Sequence, residues 1–274
     1  YVLQNTPLKW NIDANISFNR NRIGGLKADQ FAQKLWSSAD EVFIQRNGCP
    51  IGAIYGYVED GFYDNLAEVM ASPSADIRAK GAGMIGEIKY RNFDDNPDIT
   101  SADRVIIGDT NPDFVYGLTS NFEWKGVTLS FFLQGSQGND IFNGNLMDMK
   151  MGNVGNITRE AYNTRWTEAN AAQAKWPKAV SGYERNMLIS NRYVEDGSYL
   201  KLKSLNIGYV WKPNFKGISN VNVYASATNL FTITGYSWFD PEVNAFGSDA
   251  SRRGVDVYSY PSSRTFSLGI KVDF

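Results

Sequence analysis

The feature that constrains this chain most is an apolar/polar alternation of period two, held for about ten residues at a time and repeated along the chain. "LKWNIDANISF" is the cleanest case: Leu8, Trp10, Ile12, Ala14, Ile16 and Phe18 point one way, and Lys9, Asn11, Asp13, Asn15 and Ser17 the other. Successive side chains of a strand project to opposite faces, so each such segment is a strand with one greasy and one wet face. "EVFIQRNG" and "IGAIYGYV" flank Asn47-Gly48, a dipeptide favoured in tight hairpins. "FVYGLTSNFEW" and "VTLSFFLQG" flank Lys125-Gly126. "GSYLKLKSLNIGYVW" is a long strand whose alternation slips near Ser204, where a bulge is expected. "VNVYASATNLF" and "RTFSLGIKVDF" bring the total to about eight strands.

The connections sort into two kinds. Those after Phe18, Val58, Gln134 and Phe231 are long, roughly 20 to 60 residues. Those at Asn47-Gly48, at Lys125-Gly126 and across "KPNFKGISN" are short. Strict alternation of long and short is the mark of an up-and-down meander with every long loop at one end. Compact domains seldom carry loops beyond ~15 residues without a purpose.

Two media fit the greasy faces. A soluble sandwich packs them on a shared core, whereas a membrane barrel turns them to lipid around a polar lumen. Three details favour lipid. Aromatics gather near strand ends (Trp10 and Phe18, Phe122 and Trp124, Tyr209 and Trp211, Phe266 and Phe274), where interfacial girdles need them. The loops are bulky and polar, as in "RWTEANAAQAKWPKAVSGYERN". The last strand carries Phe266, Leu268, Ile270, Val272 and Phe274 on one face, and ends on the aromatic.

Composition removes other classes. No apolar run approaches the ~20 residues of a spanning helix, which says nothing about spanning strands of ~10 residues. The 274 residues contain no His and one Cys, which excludes a histidine base, a His-containing zinc site and an internal disulfide. A net charge of -2 without a long basic run excludes nucleic acid as the expected partner. The opening "YVLQNTPLKW" has no initiator Met and no signal peptide, so a piece of a longer protein is expected.

Several stretches resemble the SusC/RagA group of TonB-dependent outer-membrane transporters. They are "DRVIIGDTNPDFVYGLTSNFEWKGVTLSFFLQGSQGNDIFN" (103–143), "RYVEDGSYLKLKSLNIGYVW" (192–211), "VNVYASATNLFTITGYSWFDPEV" (221–243) and "YPSSRTFSLGIKVDF" (260–274), preceded by "PIGAIYGYVEDGFYD" (50–64) and "GEIKYRNFDDNPDITSADRVIIG" (86–108). The resemblance implies an all-β, antiparallel transmembrane barrel of about 22 strands around a plug. Residues 1–274 would supply about eight C-terminal strands, with long extracellular loops and short periplasmic turns. The plug and the TonB-contacting segment would lie outside this chain. It further implies a bacterial outer-membrane importer of glycans or oligopeptides, capped by a SusD-like surface lipoprotein and energised through TonB. Phe266, Leu268, Ile270, Val272 and Phe274 would then be the barrel-assembly signal. The inward faces agree: Lys9, Asp13, Asn121, Gln134, Lys201, Lys203, Lys271 and Asp273 would cost several kcal/mol each if buried unpaired in a closed eight-stranded core. Left open beside this reading are a siderophore or cobalamin receptor, a soluble carbohydrate-binding β-sandwich, and an independent eight-stranded barrel.

The remaining motifs are weaker. "GAGMIG" has dinucleotide-loop spacing but follows no strand and opens no helix, so a loop is expected. Asp94, Asn96 and Asp98 take the first three ligand positions of a calcium loop, but Ile99 and Val105 stand where Gly and Glu belong. A solvated acidic turn is the plainer expectation, and calcium is the one cofactor left open. Trp166, Trp176, Tyr236, Trp238 and Tyr258 lie in the two large loops and offer flat faces for cargo or for the lid lipoprotein, unless they order their own loops. "DPEV" (240–243) reads as a corner set by Pro241. No carboxylate pair suggests a glycosidase, so no catalytic residue is assigned. Cys49 is expected to be an inert thiol, and the sequons at Asn15 and Asn156 to be coincidental.

Overall fold

The computed structural model describes residues 2–4, 6–34, 41–151, 156–180, 184–214, 217–242, 244–247 and 249–274. Val243 of "DPEV", Phe215 and Lys216 of the short connection, and 181–183 of the bulky loop fall outside them. Six strands form one antiparallel sheet in chain order: Leu8–Ser17, Phe114–Trp124, Val127–Gln137, Tyr199–Trp211, Asn220–Thr234 and Thr265–Asp273. Each pairs with the next, so the sheet is an up-and-down meander.

Register keeps the alternation in phase across all six. Trp10, Phe122, Leu129, Ile207, Ala225 and Leu268 form one cross-strand row on the apolar face. Asn11, Asn121, Ser130, Asn206, Ser226 and Ser267 form the matching row on the other. A slip of one residue in any pair would put an apolar set on the polar face. The bulge at Lys203, between Leu202 and Ser204, restores the phase of the fourth strand after the slip expected there. The Lys125-Gly126 turn holds φ 47° and 86°, the two positive values of a type I′ hairpin. Within the apolar face Trp10 stacks on Phe122 with centroids 5.2 Å apart.

Among the described residues no second layer covers this face. Ile16, Phe18, Ile233 and Phe266 are exposed, and Leu268 is 80% exposed. Water would withdraw about 25 cal/mol for every apolar Å² left bare, so a sheet built this way belongs against hydrocarbon. The sandwich alternative fails here, because it needs these side chains inside.

Two of the eight expected strands lie elsewhere. Glu41–Gln45 and Ala53–Gly56 do pair around Asn47-Gly48, but in a four-stranded sheet with Gln30–Lys34 and Val105–Asp109. Val42, Phe43, Ile44, Ala53 and Ile54 are all buried, so both faces of these strands are covered. At five and four residues they are also too short to span. Among the described residues the spanning sheet therefore has six strands, and the connections expected after Phe18 and Val58 merge into one excursion, 18–113. Three long excursions (18–113, 138–198 and 235–264) leave from one end of the sheet, and two short turns close the other.

The excursions pack on one another. Ile54 and Ile88 of the first, Phe142, Trp166 and Tyr193 of the second, and Val255 of the third share one hydrophobic core. Asp140–Asn143 pairs with Val194–Asp196 and with Val255–Asp256, which ties the second excursion to the third. A small satellite core of Tyr63, Val69, Ile77 and Met84 sits under the helices Leu66–Met70 and Ala75–Lys80, capped by Asn65 and Ser74.

Candidate functional site

At the excursion end of the fourth strand, Tyr199 and Lys201 alternate with Leu200 and Leu202 and so stand on the polar face. The third excursion folds back over them. Lys201 Nζ lies 2.8 Å from Asp240 Oδ1 and also bonds Glu242 Oε2. Lys203 Nζ reaches the same Glu242 oxygen at 2.7 Å, and the Tyr199 hydroxyl donates to Glu242 Oε1 at 3.0 Å. Ser262 closes the base of the excursion by donating its N–H and hydroxyl to Asp240 Oδ2 at 3.0 and 2.5 Å. Lys201 is left 1% exposed. A buried ammonium without these carboxylates would be strongly unfavourable, so the pair fixes where the excursion sits. Burial pushes the Asp240 carboxyl up, but the hydrogen bonds from Lys201 and Ser262 outweigh it and hold it down at about 2. Glu242 is lowered for the same reasons: burial opposes, and Lys201 and Lys203 prevail.

Two concavities flank this network. One, of about 650 Å³, opens where the three excursions meet, between Glu59 of the first, Trp176, Arg192 and Glu195 of the second, and Ser237 and Trp238 of the third. Its wall is preorganised. Arg192 binds Glu59 through Nε at 2.8 Å and stacks between Phe62 and Trp176 at 5.4 and 5.2 Å. Glu195 accepts from the N–H and hydroxyl of Ser237, both at 2.8 Å. The second, of about 500 Å³, is polar and borders Asp240 and Glu242, with Asn244, Tyr258, Ser259 and Tyr260 among its walls.

No family model matches the chain. TonB-dependent receptor P3 of Formosa agariphila is 34% identical to it, over 99% of this chain and 27% of that receptor. TonB-dependent receptor SusC of Bacteroides thetaiotaomicron is 26% identical, over 97% of this chain and 24% of its own length. The solved RagAB peptide transporter superposes with a TM-score of 0.71 at 20% identity, covering 99% of this chain and 28% of that one. Along nearly its whole length the chain resembles the SusC/RagA-type TonB-dependent receptors. It spans about a quarter of the length of the curated relatives it matches.

The six strands are barrel wall in the bacterial outer membrane, with the apolar face to lipid and the polar face to the lumen. The three excursions are extracellular loops and the short turns are periplasmic. Phe266, Leu268, Ile270, Val272 and Phe274 are all exposed on the last strand, on its lipid side.

The aromatic candidates divide. Trp166 is buried in the shared core, where its indole N–H donates to Asp64 Oδ1 at 2.8 Å. Tyr236 is buried and donates to Asp256 Oδ2 at 2.7 Å; burial, then this bond, raises its hydroxyl far above the usual range. Neither ring has a free face. Trp176 is also mostly buried, yet its edge and the half-buried Trp238 line the larger concavity. Tyr258 is exposed and lines the smaller one. Reading the sequence missed Tyr260 and Phe239, the two most exposed rings of the third excursion, because nothing local distinguishes a bare loop aromatic from a packed one.

"DDNPDITSAD" is a ladder of side-chain turns. Asn92, Asp94 and Asn96 each accept from the N–H two residues on, at 3.0, 2.8 and 3.1 Å. Asp98 accepts from Ser74 at 2.5 Å, and Asp103 from Phe93 and Thr100 at 2.7 Å each. The oxygens of Asp94, Asn96 and Asp98 thus serve three different backbone or hydroxyl donors rather than one common point. Among the described residues no group of three His, Cys, Asp or Glu side chains converges.

Proposed function

We propose that this chain is the C-terminal part of the barrel of an outer-membrane importer of glycans or oligopeptides, working with a SusD-like surface lipoprotein and energised through TonB by parts of the protein outside these residues. The observation that carries the reading is the third excursion lying docked on the lumen-facing wall, above a polar inner face whose lower rows stay uncovered. A wall built this way offers polar groups to a hydrated cargo on one face and turns its most exposed apolar side chains, such as Leu268 and Phe266, to lipid on the other. Its work is binding and passage, with no bond made or broken; Trp176, Trp238 and Tyr258 are its cargo- or lid-contacting residues. SusC and the RagAB peptide transporter, named for its cargo, are among the similar proteins, which favours this class over a siderophore or cobalamin receptor.

Deleting the gene of the full receptor tests the reading. The deletion strain is expected to lose uptake of at least one oligosaccharide or peptide pool followed by mass spectrometry, and to regain it on complementation. Undiminished uptake of every pool overturns import as the function.

A further inference from the structure

The smaller concavity has a composition that the barrel wall alone does not explain. Its lining lies within the third excursion, and Asp240 and Glu242, which border it, are also the groups that hold Lys201 and so fix where the cavity sits over the wall. Two phenol rings stand at its edge, Tyr258 half open and Tyr260 91% exposed. Tyr258 holds φ +50°, a left-handed conformation that an aromatic residue rarely takes, and its N–H is clamped by Asn145 Oδ1 at 2.7 Å. Outliers of this kind persist where the surroundings fix them, often at ligand clamps. Ser259 Oγ, between the two rings in sequence, is buried with no hydrogen-bond partner among the described residues, which leaves a donor and acceptor unsatisfied beside the cavity.

We propose that this cavity of about 500 Å³ is a cargo subsite for a ring with an apolar face and hydrogen-bonding groups at its edge, with Tyr258 and Tyr260 as its stacking faces and Lys201 as the positioning residue that keeps the excursion in place. The chemistry is an apolar ring face against the phenols, with polar ring edges toward Asn244. A sugar ring and the aromatic side chain of a peptide share it. The subsite rests on the import reading and adds to it where the cargo sits. Lys201 touches no cargo. It acts through Asp240 and Glu242, so its loss opens the site rather than removing a contact.

The test uses the full receptor in the outer membrane of its host. Tyr260→Ser, Tyr258→Gly, Lys201→Met and Lys201→Arg are compared with the parent. Uptake is measured on two separate sole nutrients, a mixed oligosaccharide preparation and a tryptic digest of casein. Trypsin cleavage after Arg253 on intact cells reports docking of the excursion. Tyr260→Ser and Tyr258→Gly are expected to raise the half-saturation concentration about tenfold on one nutrient, with the maximal rate unchanged. Lys201→Met is expected to do the same and to speed cleavage after Arg253, and Lys201→Arg to restore both. Half-saturation unchanged in both tyrosine variants overturns the subsite. A Lys201→Met receptor as trypsin-resistant as the parent overturns the positioning role. A receptor-deletion strain that takes up both nutrients at the parental rate overturns the import reading instead, and the trypsin arm then decides the docking by itself.

Discussion

Leu268 has nothing over it, and its row neighbours Ala225 and Ile207 extend the same bare surface. Arginine at that position would carry a charge into the middle of the apolar band. Leu268→Arg should cost about 2–4 kcal/mol of barrel stability, read as a loss of the heat-modifiable folded band on a gel. Unaltered folding would mean that the side chain does not meet lipid. Lys201 is the opposite case, a charge hidden by two carboxylates from a distant stretch of chain. Asp240→Asn removes one of them and should cost about 3–5 kcal/mol at the excursion, by analogy with other broken buried pairs. The pH dependence follows from the sign of the shift. Asp240 and Glu242 are both lowered in the folded protein, so their contribution is complete above the ordinary carboxylate range of ~4. For Asp240 it is lost as pH falls toward about 2. Fluorescence of Trp238, beside this network, should be flat from pH 8 to 5 and change only below ~4; a transition above pH 5 would contradict the pairing.

At the scale of elements, the six spanning strands were legible because their signal is local. A period of two over about ten residues needs no knowledge of the rest of the fold. The same rule misplaced Glu41–Gln45 and Ala53–Gly56, whose neighbours in space, not their own sequence, bury both faces. The bulge was visible as a broken alternation near Ser204, whereas the Lys201–Asp240 pair, 39 residues apart in sequence, left no trace. The loop aromatics show the same limit. Trp166 and Tyr260 look alike in sequence, yet one is a core residue and the other is bare. Trp166→Ala should therefore cost about 3–5 kcal/mol in the shared core of the excursions. Since no spanning row contains Trp166, the barrel wall should still assemble. The expected result is faster protease nicking of the extracellular excursions on intact cells, with unchanged receptor in the outer membrane. Loss of the receptor itself would show that the excursion core and the wall fold as one unit.

Across the whole molecule the division of media is consistent from row to row. The rows through Trp10 and Asn11 keep opposite faces across all six strands; exceptions elsewhere include Ser120 in an apolar row, where it accepts from the Trp10 indole at 2.9 Å, and Phe132 and Tyr224 in polar rows. Its outer strands, Leu8–Ser17 and Thr265–Asp273, each pair on one side only among the described residues, as in an arc of a larger barrel. The excursions then form one packed body over the lumen end, pinned to the wall at Lys201 and braced to one another through Arg192–Glu59 and Glu195–Ser237. Spin labels placed singly at Ala225, Leu268, Ser226 and Ser267 of the full receptor in lipid bilayers measure this division directly. Labels at Ala225 and Leu268 should relax with dissolved oxygen and be shielded from a water-soluble nickel complex, and those at Ser226 and Ser267 should behave the other way round. Nickel access at Leu268 together with oxygen-dominated relaxation at Ser267 would place lipid on the wrong side of the sheet.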